Sequence, residues 1–183
     1  IAENTILLFG SDNGPEFRRP WRGTAGYWRS TYHTAMEGSL RAPFMVRWPG
    51  HVPQGGVTDE VVHVTDLYPT LAGLCGLAKP AHLNGVSLMP VLNNPKAKVR
   101  QAAFTVTRIR VKIPGVKKNN QLGHTIRTER YRYTEWGDGK HGVELYDYNT
   151  DPNEYTNLAK RDSAKKVLQG MQQLMQATRA HTR

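Results

Sequence analysis

An α/β segment followed by a small antiparallel sheet with a terminal helix is the architecture that this 183-residue sequence predicts. Two apolar runs with a helical repeat behind them account for the first part, because strand, loop, strand, helix is the order in which α/β layers are built. Four short β-branched or aromatic runs separated by turn residues account for the sheet. Apolar residues at i, i+1, i+4, i+7 and i+8 account for the last helix. The character changes after Pro95, so the expected division is 1–95 for the α/β part and 96–183 for the sheet-and-helix subdomain.

The first run, Thr5-Ile6-Leu7-Leu8-Phe9, stops at Gly10-Ser11-Asp12-Asn13-Gly14. Continuous apolar character ending in a polar turn predicts a strand buried on both faces. Residues 15–35 carry Arg, Gly and aromatics without a period, which predicts a long surface loop of the kind that is commonly functional. A second buried strand is expected at 44–48, closed by Pro49-Gly50. The next helix has Thr65 or Asp66 to cap it, Pro69 in its tolerant first turn, Leu67, Leu71 and Leu74 on one face and Gly76 to end it. Strands of an antiparallel meander are expected at 103–109, 124–128, 131–136 and 143–148, with a turn at Trp136-Gly137-Asp138-Gly139. Tyr131, Tyr133, Trp136, Tyr146 and Tyr148 fall along these strands, a stripe that belongs to a core more often than to a sugar platform. Val167, Leu168, Met171, Leu174 and Met175 form the apolar face of the last helix, begun by Asp162 or Ser163.

Ile1 stands where an initiator methionine would, and an apolar run begins almost at once, so the sequence reads as entered partway through a longer chain. No stretch approaches the roughly 18 apolar residues of a membrane span. The single cysteine, Cys75, leaves no internal disulfide. In Leu74-Cys75-Gly76 it has neither His nor Cys at metal-ligand spacing, which predicts a small buried core residue. The formal net charge of +10 favours an anionic partner. Nucleic acid is disfavoured, because the basic residues are spread along the chain, the densest clusters being Arg18-Arg19, Lys117-Lys118 and Lys165-Lys166, and no recognition motif lies among them. A sulfated or phosphorylated substrate accounts for the charge, and the basic segment 111–120 is a candidate rim for it.

Asp12 and Asn13 place a carboxylate and an amide carbonyl just beyond the carboxyl end of an expected strand, where open α/β sheets collect their ligands. Two hard oxygen donors suit Ca²⁺ or Mg²⁺. Asp-Asn-Gly is also ordinary turn chemistry, and two oxygens fall short of the roughly six to eight that Ca²⁺ takes.

Five motifs in order extend this reading: Ser11-Asp12-Asn13-Gly14-Pro15; Glu37-Gly38-Ser39-Leu40-Arg41-Ala42-Pro43 running into Arg47-Trp48-Pro49-Gly50; Thr65-Asp66-Leu67-Tyr68-Pro69-Thr70-Leu71; Glu144-Leu145-Tyr146-Asp147; and Asp151-Pro152-Asn153-Glu154 with Asn157-Leu158. Together they resemble successive landmarks of the C-terminal half of type I sulfatases and cover nearly the whole chain. The resemblance implies the C-terminal part of an alkaline-phosphatase-like α/β fold, then a subdomain with a four-stranded antiparallel sheet. It implies hydrolysis of a sulfate ester, a carbohydrate sulfate among the candidates, in the periplasm or outside the cell. In that family a formylglycine, made from the Cys or Ser of a C-x-P-x-R motif, attacks sulfur while a divalent cation binds the sulfate oxygens. Asp12 and Asn13 match the later pair of metal ligands.

The sequence departs from the family pattern in two places. Cys75 is followed by Gly76-Leu77-Ala78, so the nucleophile motif is absent and, with the earlier metal ligands, is expected upstream in a missing N-terminal half. Where many members have a sulfate-binding Lys, five residues before the motif glutamate, this chain has Tyr32. Arg29 and His33 are the nearest replacements: a guanidinium chelates two sulfate oxygens, and an imidazolium protonates a leaving alkoxide. Either is equally read as a loop residue, Arg29 solvated and His33 packed beneath it. Glu37 and Arg41, four apart, are expected to pair as scaffolding. His63, His82, His124 and His141 share no ligand spacing. The chain alone is therefore expected to be inactive. A phosphoester or phosphonate hydrolase of the same superfold and a non-catalytic anion-binding module are the rival expectations.

Overall fold

The computed structural model describes residues 1–16, 20, 23–108 and 122–181. The expected rim segment 111–120, the strand end at Ile109 and the pairs Arg18-Arg19 and Lys117-Lys118 lie outside the described residues. In chain order the elements are β1 (Leu7–Gly10), α1 (Glu37–Leu40), β2 (Phe44–Arg47), α2 (Leu67–Leu74), α3 (Met89–Asn93), β3 (Ala103–Arg108), β4 (Leu122–Arg127), β5 (Tyr131–Trp136), β6 (Val143–Asp147) and α4 (Lys165–His181). They form two compact units, one of Ile1–Asp12 with Pro43–Ala103, the other of Asn13–Ala42 with Phe104–His181.

In the first unit β1 and β2 pair antiparallel, with Leu8 opposite Val46 and Gly10 opposite Phe44 on one face, and Leu7 opposite Arg47 and Phe9 opposite Met45 on the other. The first face meets the helices: Leu8, Phe44 and Val46 line a small hollow with Leu67, Leu71 and Leu88. Gly10 lies beneath the Phe44 ring, where a Cβ would make a tight approach, 3.1 Å from the ring and 3.2 Å from the Pro43 carbonyl oxygen. The second face is open, with Leu7 55%, Phe9 57% and Met45 59% exposed. Burial on both faces, expected from the apolar run, is thus corrected to partial burial on one, where Leu8 and Val46 are half-buried. The pleat sends alternate side chains outward, and α2 and α3 cover only one side.

One local expectation for α2 is refined and another corrected. Asp66 stands at the N-cap of α2, one of the two expected positions, but makes no side-chain cap bond there. The side-chain capping lies one turn earlier, where His63 precedes a 3₁₀ turn at Val64–Asp66: its ring accepts from the Thr65 amide, and the Asp66 carboxylate accepts from the His63 amide at 2.8 Å. At the other end Gly76 has φ +67, and the Leu77 and Gly76 amides reach back to the Ala72 and Gly73 carbonyls, a Schellman closure. This closure turns the last residue before the glycine outward, so Cys75 is exposed, not buried in the core. Asp66 itself is fully buried. It accepts from the Val86 amide at 2.8 Å and takes the Arg100 guanidinium on both oxygens, while Thr70 bonds the Asp66 carbonyl and the Leu88 amide. The Thr65–Leu71 motif is therefore an anchor that ties α2 to the segment before α3.

The second unit holds the four-stranded sheet in the order β3-β4-β5-β6, with β4–β5 and β5–β6 antiparallel. Ile126, Tyr133 and Leu145 stand in register across three strands, and all three are closed to solvent. The last helix packs on β4 and β5 and buries Met171 and Met175, after a 3₁₀ turn at Asp162–Ala164. Within the aromatic stripe Tyr133 and Tyr146 are buried, and Tyr131, Trp136 and Tyr148 are half-buried. No helix among the described residues is long and apolar enough to cross a membrane.

Candidate functional site

β1 ends in the Asp12-Asn13 turn. Asp12 is exposed and accepts a long hydrogen bond from Ser11 Oγ, 3.5 Å. Asn13 is half-buried, and its amide nitrogen donates to the Gly14 carbonyl at 2.9 Å, which leaves its amide oxygen as the acceptor to present. Both residues offer hard oxygens of the type a Ca²⁺ or Mg²⁺ ion takes. Among the described residues no group of three or more His, Cys, Asp or Glu gathers as a metal cluster. The pair fits part of a shell, not a whole one.

Backbone packing explains the two motif glycines. The Gly14 amide donates to the Ser39 carbonyl at 2.7 Å, and a Cβ on Gly14 would fall 2.2 Å from the Gly38 carbonyl oxygen. The Gly38 amide donates to the Arg29 carbonyl at 3.0 Å, and a Cβ there would lie 2.3 Å from the Ser30 carbonyl oxygen. Three passes of main chain, at Gly14, Gly38 and Arg29-Ser30, are stacked too closely for any side chain between them.

This stack carries the two candidate anion contacts. Arg29 is an exposed residue whose Nη1 donates to the Glu154 carbonyl at 2.7 Å and to Tyr146 Oη at 3.3 Å. Among the described residues its Nε and Nη2 have no hydrogen-bond partner. His33 is exposed with φ +70 and lies against the Tyr32 ring, centroids 3.7 Å apart. Ser30 also has φ +70. A left-handed conformation in two non-glycine residues so close together is strain that the surrounding bonds must hold.

Those bonds lead to a buried ionic network that no sequence pattern indicated. Arg132 on β5 is closed to solvent and pairs with both Glu37 and Glu154. The Glu154 carboxylate also accepts from the Glu37 amide at 2.8 Å, and Tyr148 Oη bonds Glu37 at 3.1 Å and Glu154 at 2.5 Å. Glu154 is fully buried and itself has φ +60. Arg41 meets Glu37 at 3.1 Å, the expected i,i+4 pair, and stacks over Trp28. Burial works to raise the Glu37 carboxyl, but Arg132, Arg127 and Arg41 outweigh it and hold the group below the ordinary glutamate range. Glu144 goes the other way, raised chiefly by burial, and its Oε2 is buried without a hydrogen-bond partner among the described residues. Tyr146, buried and beside Glu144, is pushed up to about 12. Chemically, then, the loop can offer two oxygen donors, one guanidinium edge and one exposed imidazole. Glu37, Arg132 and Glu154 are internally satisfied. Arg132 went unsuspected because an arginine between two strand tyrosines reads as a solvent-facing residue.

Comparison with known proteins places the chain. It is 31% identical over 198 residues to human arylsulfatase A, covering 95% of this chain and 38% of that protein. Its structure matches that of a 2-O GAG sulfatase with a TM-score of 0.75 and 28% identity, over 98% of this chain and 37% of the other. It also matches a phosphonate monoester hydrolase of Agrobacterium radiobacter with a TM-score of 0.71 and 28% identity, over 99% and 36%. The chain thus spans little more than a third of the length of these proteins. With the model of the C-terminal region of N-sulphoglucosamine sulphohydrolase matching residues 26–181, and with the antiparallel sheet, terminal helix and ordered motifs described above, the chain belongs to that family of sulfatase C-terminal domains.

Proposed function

We propose that this chain supplies two metal ligands and part of the anion-binding surface of a sulfate ester hydrolase. One observation carries the reading: the motifs at Gly14, Glu37-Gly38 and Glu154 lie far apart in sequence yet meet in one bonded assembly, beside Asn13 and under Arg29. Asp12 and Asn13 would hold the divalent cation, Ca²⁺ or Mg²⁺, through their side-chain oxygens. When bound, that ion supplies charge neutralisation at the sulfate oxygens. Arg29 presents its Nε–Nη2 edge to the anion, the bidentate geometry that suits two sulfate oxygens. His33, exposed and lying against the Tyr32 ring, donates a proton to the leaving alkoxide oxygen. The formylglycine nucleophile and remaining ligands belong to an N-terminal half, for which residues 1–95 complete the α/β core while 96–183 form the subdomain; the chain alone is inactive. The open face of Leu7, Phe9 and Met45 is the apolar surface available to that half. The substrate is an anionic sulfate ester, a carbohydrate sulfate in keeping with the GAG sulfatase likeness.

The likeness to a phosphonate monoester hydrolase favours a second reading, phosphoester or phosphonate hydrolysis at the same site. In the complete enzyme, relative kcat/KM on an aryl sulfate and a phenyl phosphonate monoester separates the two, and turnover of neither would leave an anion-binding module. Asp12→Ala is expected to abolish turnover and calorimetric Ca²⁺ binding, with Cys75→Ser nearly without effect. Undiminished metal binding in Asp12→Ala would sink the site assignment.

A further inference from the structure

Glu154 occupies an unusual position. It is a fully buried carboxylate in a left-handed backbone conformation, φ +60, which a non-glycine residue keeps only when its surroundings over-determine it. That conformation sends its two functional ends to different places. The carboxylate turns to Arg132, to Tyr148 Oη and to the Glu37 amide at the start of α1, while the carbonyl accepts from Arg29 Nη1 at 2.7 Å. α1 is in turn tied to Arg29 through the bond from the Gly38 amide to the Arg29 carbonyl. Glu154 therefore holds the side chain of Arg29 directly through its own carbonyl, and the main chain of Arg29 indirectly through its carboxylate and α1. Both grips act on Nη1 and the backbone, so the Nε–Nη2 edge of the guanidinium is left without a hydrogen-bond partner among the described residues.

We infer that Glu154 is a positioning residue for anion capture, holding Arg29 so that its Nε–Nη2 edge meets the substrate. This rests on the reading of Arg29 as a substrate contact. Glu154 touches no reacting atom; it acts through Arg29 and α1.

The test is a double-mutant cycle in the complete enzyme, with hydrogen exchange as a readout independent of turnover. Glu154→Gln is expected to lower kcat/KM roughly tenfold, the scale of one charge-assisted hydrogen bond, mostly through KM. Arg29→Ala is expected to do the same, and the double variant to be no worse than Arg29→Ala alone, because the two act as one. Exchange should rise at the Glu37 and Gly38 amides in Glu154→Gln. Tyr148→Phe, which removes the hydroxyl bonding both carboxylates, should shift KM and exchange in the same direction by a smaller factor and covers the case that Glu154→Gln does not fold. Glu154→Gly accepts the same φ without the carboxylate and should behave like Glu154→Gln. Losses that multiply in the double variant, or wild-type KM with unchanged exchange in the folded variants, would overturn the inference. Were Arg29→Ala itself without effect, the substrate-contact reading would fail, while exchange at Glu37 and Gly38 would still decide whether Glu154 holds the loop.

Discussion

The ribbon of β1 and β2 leaves Leu7, Phe9 and Met45 open on one face, whereas the row Ile126, Tyr133 and Leu145 across β4, β5 and β6 is closed to solvent. Both sets are apolar side chains on short antiparallel strands, so propensity does not separate them. Cover does. The four-stranded sheet has α4 packed on β4 and β5, and its buried arginine, Arg132, is paired with Glu37 and Glu154. The ribbon has α2 and α3 on one side only. An apolar run reports how much surface a strand can bury, not whether a second layer is present to bury it.

The largest effect expected from this contrast is at Arg132, the charge on which the covered sheet depends. Arg132→Met leaves the buried Glu154 without its cation and Glu37 with only Arg41 and Arg127, and breaking a buried pair from one side typically costs about 3–5 kcal/mol. Urea denaturation of the chain should show that loss as a lower midpoint with an unchanged slope. A loss under about 1 kcal/mol would mean that water reaches the two carboxylates, and that the network is less closed than its burial indicates.

A smaller effect, about 1–3 kcal/mol for a charged hydrogen-bonded group, is expected from Glu37→Gln, and pH resolves it. The Glu37 carboxyl is held below its ordinary value of about 4.5, so the folded state favours the ionised form. The stability this contributes is present above about pH 4.5 and is lost as pH falls through the lower folded value. Glu144, raised by burial, has the opposite sign: it weakens the fold while ionised and stops doing so as pH falls through its raised value. Thermal melts from pH 7 to 3 should show a steep acid limb in the wild type and a shallower one in Glu37→Gln. Asp147, lowered by Arg130, contributes to the same limb, so some slope remains in the variant. An identical limb in both proteins would assign acid sensitivity elsewhere.

Legibility in the sequence followed the same division between local and distant cause. β5 was expected at 131–136 and is found there, and the stop of α2 at Gly76 was expected, because strand alternation and a glycine closure are written in neighbouring residues. α1 and α3, of four and five residues, are too short to show a period. The burial of Arg132 depends on Glu37 and Glu154, 95 and 22 residues away, and nothing beside it indicates either. The glycines of the Ser11–Pro15 and Glu37–Pro43 motifs were visible as motif letters; the stacked main chain that requires them was not. Asp12 and Asn13 were named from type and position, whereas Glu154 lay in a motif with no role attached, since a left-handed φ leaves no mark in a glutamate's identity.

The smallest effect belongs to the open face of the ribbon. Phe9 is 57% exposed, so in this chain Phe9→Ala removes little buried surface and creates no cavity, and substitutions at such positions usually stay within about 0.5 kcal/mol. The same change in the complete enzyme addresses the second layer directly. If an N-terminal half covers the face, Phe9 becomes a core residue there and its truncation should cost about 3–5 kcal/mol. Parallel denaturation of the two forms measures the difference. Equal, small losses in both would leave the ribbon a surface feature and remove the apolar face from the proposed contact with the N-terminal half. A loss of several kcal/mol already in this chain would instead contradict the open face itself, because a side chain standing in water has no such energy to lose.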